Sequence, residues 1–253
     1  MTVTGERVMT RAGGFNMSWQ RHAACYALAE PFLPAGRVLD LGCGIGHSYD
    51  LLAPRDTVGL DRDAHVLAAQ DRETVVADMR RIPFEDRSFA SVVAVHSIEH
   101  VPDPERVLTE VVRVLEPEGC AVFATPNRLT FGRPDEIIDP YHYVEYSPSE
   151  LEELCVPWFE TVQIFGLFGS PLYDELSREE RRELDRTLRL DPFRLRRFVP
   201  RRVRQELYDW KLTRERRHTD PRAASIGVED FSLREGDVDE AVDLVAVCRC
   251  AGS

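Results

Sequence analysis

The sequence predicts an α/β fold built on a doubly wound, mostly parallel sheet, and two observations predict it. Short apolar runs alternate with helix-period segments up to about residue 127, the pattern of strands joined by crossover helices. The first run, Val38-Leu39-Asp40-Leu41, turns at once into Gly42-Cys43-Gly44-Ile45-Gly46. Glycines at this spacing let backbone approach a ligand closely and tolerate a left-handed φ. A loop there sits at the carboxyl end of the sheet, where open α/β folds bind ligands. The acid before the first glycine bears on which ligand. A phosphate-binding loop prefers backbone N–H groups and positive charge; a carboxylate suits a cation, such as one carrying an ammonium and a sulfonium.

The elements follow in order. Residues 1–16 are polar and mixed and read as a mobile arm. Trp19 to Glu30 reads as a helix stopped by Pro31 and Pro34. Val58-Gly59-Leu60-Asp61 is a second strand ending in an acid, about 20 residues after the glycines, the spacing of a ribose-hydroxyl acceptor. Val75-Val76-Ala77-Asp78-Met79 is a third strand ending in an acid. Ser91 to Val95 is a fourth, followed by His96-Ser97-Ile98-Glu99-His100. Asp103-Pro104 signals a capped helix start, with Leu108, Val111, Val112 and Leu115 at helical spacing. Cys120 to Thr125 is a fifth strand. Ser147-Pro148-Ser149-Glu150 is a capping box, and Phe159 to Phe168 a sixth strand. Residues 171–222 break the alternation: a second capping box at Ser177 and an amphipathic stretch with Val203, Leu207 and Trp210 read as a helical insertion. Val228–Arg234 and Ala241–Cys250 return to strand.

In order and spacing, the glycine loop with Asp61, Asp78 and the stretch after the fourth strand resembles the class I S-adenosylmethionine-dependent methyltransferases, and in particular the type 11-like small-molecule O-methyltransferases. The resemblance covers roughly residues 36–165. It implies a Rossmann-like sheet whose last strand, Val242–Cys250, enters antiparallel beside the sixth. It implies S-adenosylmethionine as methyl donor. Asp40, Gly42 and Gly44 would line the methionine end, Asp61 the ribose hydroxyls with Arg62 beside the adenine, Asp78 the adenine amino group and Met79 its ring, and His96 would lie near the transferred methyl. Trp19, Arg21 and His22 either close over the cofactor or serve packing and surface alone. The domain layout that follows is an N-terminal arm and helix (1–35), a cofactor-binding domain (36–170), the helical insertion (171–222) as lid or substrate subdomain, and C-terminal strands that complete the sheet (223–253).

An acceptor hydroxyl needs a general base or a metal. His96, Glu99 and His100, with His142 in Tyr141-His142-Tyr143, are the candidates. They resemble the E-x-x-E-H…H metal site of small-RNA 2′-O-methyltransferases and the E-x-x-E-H stretch of ubiquinone-pathway O-methyltransferases, with His96 in place of the first acid. That resemblance implies a divalent metal on Glu99, His100, His142 and His96; three imidazoles and one carboxylate favour Mn, Fe, Co or Zn over Mg. Two other readings stand beside it: His142 or His96 as a metal-free base, or a cluster that only caps and packs. Thr125-Pro126-Asn127 marks the rim of the site or a turn, and residues 128–146 read as a substrate loop.

Composition sets the limits. The 253 residues carry six cysteines without a C-x-x-C pair, so the chain reads as reduced and cytoplasmic. No apolar stretch approaches the ~20 residues that span a membrane, and no signal peptide is visible. The net charge of −12 hides an asymmetry: residues 178–222 hold 16 basic and 9 acidic residues, a local +7 against −19 elsewhere. That run is either a solvated helical face or a surface for an anionic partner. The leading expectation is an O-methyltransferase acting on a small molecule (a sugar, glycan or secondary metabolite, anionic or rich in hydroxyls) under a lid formed by the insertion. An RNA 2′-O-methyltransferase is the alternative, disfavoured by the overall acidity and the few aromatics among the arginines. A non-catalytic cofactor-binding partner protein is the third, opposed by the full set of cofactor acids. Oligomeric state is not legible.

Overall fold

A computed structural model describes residues 15–131, 136–189, 191, 195–215 and 220–252. Eight strands form one sheet: β1 (Val38–Leu41), β2 (Thr57–Asp61), β3 (Thr74–Val76), β4 (Phe89–Val95), β5 (Leu115–Pro126), β6 (Thr161–Gly169), β7 (Phe231–Arg234) and β8 (Asp243–Arg249). Their order is β3-β2-β1-β4-β5-β8-β6-β7. The first five pair in parallel. β8 runs antiparallel to both β5 and β6, and β7 antiparallel to β6. The helices are α1 (Phe15–Ala29), α2 (Ala64–Leu67), α3 (Pro104–Val114), α4 (Arg128–Phe131), α5 (Pro148–Cys155), α6 (Pro171–Leu188) and α7 (Arg201–Glu215). No helix among the described residues is long and apolar enough to cross a membrane.

Strand periodicity of two sorts the core into two layers. Leu39, Leu41, Val58, Leu60, Val92, Ala94, Ala121 and Phe123 face α3 and α5. Val38, Val93, Val95, Val122, Ala124, Val245 and Val247 face α1 and the start of α6, where Ala24, Tyr26, Tyr173 and Leu176 meet them. Asp40 shares the second face with Val38 and is fully buried there. The register decides what lies at the carboxyl edge. Pro126, at the end of β5, stands opposite Asp243, at the start of β8. An antiparallel strand therefore delivers its first residue to the edge where the parallel strands deliver their last.

The sequence reading needs correction at four places. Asn16 is not part of a mobile arm: it opens α1, is buried, and donates through Nδ2 to the carbonyls of Ala223 (2.8 Å) and Ile226 (2.9 Å). Residues 1–14 of that arm lie outside the described residues. β3 ends at Val76, so Asp78 stands in the following turn. α6 begins at Pro171, with Ser170 Oγ accepting from the Tyr173 N–H, so Ser177 lies inside a helix that its box was expected to start. Asp103 precedes α3, but its carboxylate caps nothing; Arg80 takes it at 3.0 Å. The box at Ser147 does form, with Ser147 N–H donating to Glu150 at 2.8 Å.

Candidate functional site

The glycine loop is built as its spacing requires. Gly42, Gly44 and Gly46 have φ of +77°, +53° and +66°, where a Cβ is strained. A Cβ on Gly42 would lie 2.5 Å from that of Ser97, so the turn is closed by packing; one on Gly44 would meet nothing within 4 Å. The Gly44 backbone thus borders open space. Its N–H donates to Asp61 Oδ2 at 3.0 Å, and the Asp63 N–H to Asp61 Oδ1 at 2.9 Å. Arg62 is exposed beside it. Asp78 is exposed and forked by Arg80, through Nε at 2.9 Å and Nη2 at 2.6 Å, which lowers its pKa. Met79 packs on the core layer under the loop.

Asp40, near the end of β1 before the glycine loop, is held from two sides. Tyr26 Oη donates to its Oδ1 at 2.8 Å and Arg72 Nη2 to its Oδ2 at 2.6 Å. Arg72 also lies 4.2 Å from the centre of the Tyr49 ring. The charge of Asp40 is therefore balanced within the chain. Burial, with Asp40 alongside, pushes the Tyr26 hydroxyl well above its ordinary range, so it stays a donor.

His96 leaves β4 with φ +48°, uncommon for a residue with a Cβ. The turn is held by its N–H on the Ala124 carbonyl (2.8 Å). Its Nε2 meets Asp243 Oδ2 at 3.0 Å and its Nδ1 faces Glu99 Oε1 at 3.6 Å. Burial opposes its charge, but Asp243 and Glu99 raise its pKa well above the usual histidine range. His22 stacks on it at 4.0 Å, nearly parallel, and burial together with the His96 charge drives His22 far down. Arg21 Nε lies 3.4 Å from the same Asp243 oxygen, and Cys25 Sγ at 3.9 Å. Trp19 and His22 lie against His47 of the glycine loop's downstream arm.

Glu99, His100 and His142 come together next to this node, with candidate ligand atoms within 4.8 Å of one another. His96 does not join them; it belongs with Cys25 and Asp243, because its Nε2 is turned to β8. Each of the two remaining imidazoles is oriented through Nδ1. His100 Nδ1 meets the Tyr141 carbonyl at 3.2 Å, and His142 Nδ1 meets Glu145 Oε1 at 2.8 Å. Asp139 Oδ2 lies 4.0 Å from His142 Nε2. Burial opposes the His142 charge, while Glu145, Asp139 and Glu99 raise its pKa; burial and His142 lower that of His100. Glu99 is fully buried, which resists its ionisation, but the His96 imidazole facing it and the fields of His100 and His142 bring it to about 2. Thr125 Oγ1 donates to Glu99 Oε2 at 3.2 Å, and Oε1 has no hydrogen-bond partner. Asn127 serves the fold: its Nδ2 lies within 3.1 Å of the carbonyls of Val238, Asp239 and Ala241.

A cavity of about 690 Å³ opens beside these groups, between α1, α4, the 138–140 segment, α6 and α7. Arg21 and Val242 form its floor toward Asp243, and Phe131 and Asp139 its side toward His142. Some arginines of the basic insertion are spent within the chain. Arg196 pairs with Glu136 (2.6 Å) and Asp191 (3.0 Å). Arg201 donates to the carbonyls of Pro140 and Tyr141, and its guanidinium lies over Tyr143.

Sequence reasoning overlooked Asp243, Tyr26, Arg72, Asp139 and Glu145. Only Asp243 carried a signal: an acid opening the apolar run Asp243-Leu244-Val245-Ala246-Val247, as Asp40 interrupts β1. The others reach the site from a helix and from loops with no period.

The chain matches a methyltransferase domain model over residues 39–123, which is β1 through most of β5. It is 36% identical over 181 residues to a Mycobacterium tuberculosis protein described as a probable S-adenosylmethionine-dependent methyltransferase, a match that covers 68% of this chain and 66% of that one, just under two thirds of its length. It is 31% identical over 260 residues to a similarly described Mycolicibacterium smegmatis protein, covering 98% of this chain and 94% of that one. A methyltransferase structure from Thermotoga maritima shares the fold, with a TM-score of 0.61 and 18% identity over 93% of this chain and 91% of that one. The order of strands and glycine loop, and above all the near full-length relative, lead to one conclusion: this chain belongs to the S-adenosylmethionine-dependent methyltransferases.

Proposed function

We propose that the chain methylates a hydroxyl of a small molecule held in the cavity under α6 and α7. The observation that carries this reading is the juxtaposition of that cavity with His142 and Asp243 at the carboxyl edge of the sheet. The Gly44 backbone, open to approach, and the buried Asp61 carboxylate fit the donor's ribose end. Asp40, Gly42, Arg62, Asp78 and Met79 complete the proposed cofactor site. Asp40 acts there with its charge already balanced by Arg72, so it shapes the loop from below. Bound S-adenosylmethionine supplies an electrophilic methyl on a sulfonium, and the protein's task is orientation, water exclusion and removal of the hydroxyl proton.

His142 is the candidate base. Glu145 holds its Nδ1–H, leaving Nε2 to take the hydroxyl proton, and Asp139 and Glu145 stabilise the imidazolium that forms. His96 is a weaker candidate, since its Nε2 is held by Asp243 at 3.0 Å, whereas the nearest carboxylate oxygen to the His142 Nε2, on Asp139, is 4.0 Å away. It positions Glu99 and Asp243 instead.

A second reading adds a divalent ion, favoured by the Glu99 oxygen without a hydrogen-bond partner. Metal-ligating histidines characteristically donate Nδ1–H to a carboxylate or carbonyl, and His100 and His142 both do so. Glu99, His100 and His142 would hold the ion, which would lower the pKa of the acceptor hydroxyl. Two nitrogens and one oxygen suit Mn, Fe, Co or Zn. The nucleic-acid alternative loses ground, because Arg196, Arg201 and Arg222 are spent on partners within the chain.

The test is transfer of labelled methyl from S-adenosylmethionine to a panel of sugars, sugar phosphates, hydroxylated amphiphiles, phenols and short RNA. Transfer to a small hydroxylated acceptor that is lost in His142→Ala supports the reading. Transfer to RNA alone, or to amines alone, overturns it.

A further inference from the structure

The cavity offers ten charged side chains, and their partners show what is left for a ligand. Arg21 lies against Asp243, Arg196 between Glu136 and Asp191, and Asp220 and Glu179 against Arg222. Asp139 stands beside His142. Glu180, Glu183 and Lys211 also have partners. Among the described residues, Arg204 and Arg181 line the cavity without any hydrogen bond or ion pair to their guanidinium groups. The Arg204 Nε is shielded from solvent and has no acceptor. A guanidinium offers five N–H donors in a fork that matches carboxylate and phosphate oxygens, and a shielded donor without a partner is costly to keep. Much of the uncharged lining is apolar: Phe131, Ile138, Leu176, Leu184 and Leu188 form an apolar wall of the same cavity.

From this juxtaposition of an unpaired guanidinium and an apolar wall, we infer that the cavity is built for an anionic amphiphile. Its oxyanion binds Arg204, with Arg181 as the second cation. Its apolar portion lies along Leu184, Leu188 and Ile138. Its hydroxyl reaches the Arg21 and Asp139 end. The inference rests on the proposed hydroxyl methylation for the last point only; the binding site stands on its own. The location of the cation also refines the charge argument. Of the three neighbouring arginines on α7, Arg201 is committed to the 140–143 loop, Arg202 is exposed, and Arg204 alone lines the cavity.

The experiment is calorimetric titration of the full chain, preloaded with S-adenosylhomocysteine, with four probes: decyl phosphate, decanoate, octyl glucoside and glucose 6-phosphate. The expected result is that at least one anionic amphiphile binds at least tenfold more tightly than both the neutral amphiphile and the chainless anion. Which of decyl phosphate and decanoate is preferred tells whether the natural oxyanion is a phosphate or a carboxylate. Arg204→Met should cost tenfold or more for that probe, as expected of a charge-assisted pair, and Leu184→Asp should cost as much. Arg202→Met should change nothing. S-adenosylhomocysteine affinity, measured separately, reports that each variant is folded. Equal binding of neutral and anionic amphiphiles, an Arg204→Met variant that binds like the parent, or no binding by either anionic amphiphile overturns the inference. Failure of methyl transfer with probe binding intact would instead sink the hydroxyl-methylation reading and leave this site standing.

Discussion

Arg72 donates to Asp40 across 2.6 Å, and the two side chains are only 5% and 1% exposed. The acid that the sequence offers to a cationic ligand is thus already neutralised from the loop that precedes β3. Removing one partner of a buried pair strands the other's charge, at a cost of about 3–5 kcal/mol. Arg72→Met should destabilise the chain by about that amount in urea unfolding. Adding Asp40→Asn should restore more than half of it. If Arg72→Met unfolds like the parent, Asp40 finds another counter-charge and the pair is dispensable.

Asp61 joins the glycine loop to β2 through the Gly44 N–H and stands where the ribose hydroxyls are proposed to lie. Asp61→Ala should weaken S-adenosylmethionine binding by about 10- to 100-fold, the loss of a charge-assisted pair. Calorimetry measures it directly. Arg62→Ala, changing an exposed neighbour, should cost much less. An unchanged affinity in Asp61→Ala would remove Asp61 from the cofactor site.

Once an acceptor is in hand, His142→Ala should lower turnover by ~100-fold or more while leaving cofactor affinity intact, since a positioned general base contributes at least that much. EDTA separates the two versions of the site. Loss of activity with chelator, restored by Mn²⁺, and an equal loss in Glu99→Ala identify the metal-assisted form. Chelator-resistant activity that dies in His142→Ala identifies the metal-free base. Near-full turnover in both variants shows that the cluster is structural.

Glu110 gives a pH test of the frame around the site. Its carboxylate accepts from Arg113 and from the Ile82 N–H, and the Arg113 hydrogen bonds lower its pKa below 4.5. A depressed carboxyl contributes stability above its unfolded pKa and loses it as pH falls through the folded value. Glu110→Gln should therefore lower the melting temperature at pH 7, and the gap to the parent should close as pH falls below about 4. A gap that persists unchanged to pH 3 would mean that Glu110 acts through packing rather than charge.

Part of this protein was determined by local sequence alone. The strand ends at Leu41, Asp61 and Val95, the three glycines and the capping box at Ser147 all rest on period, backbone freedom and short-range hydrogen bonds, so they were legible. Glu99, His100 and His142 stood out as candidates by residue type, but that their ligand atoms lie within 4.8 Å of one another is a tertiary fact. The misreadings have the same origin. Ser177 carries a local capping signal that a helix already running from Pro171 overrides, and Asp103 loses its cap role to Arg80, 23 residues away.

What the tertiary structure decided is which charges meet. His96 finds Asp243 across 147 residues because β8 runs antiparallel and begins at the edge where β4 ends. Arg72 reaches Asp40, and Tyr26 reaches it from α1, because Asp40 faces the α1 side of the sheet while its strand neighbours Leu39 and Leu41 face the other. The His96 side chain leaves the expected metal set for the same reason. Coulombic and hydrogen-bond partners in a buried site are chosen by register and strand direction, which no local window of sequence contains. The last strand's alternation says that Asp243 lies in a strand; only its antiparallel direction puts that acid at the active edge.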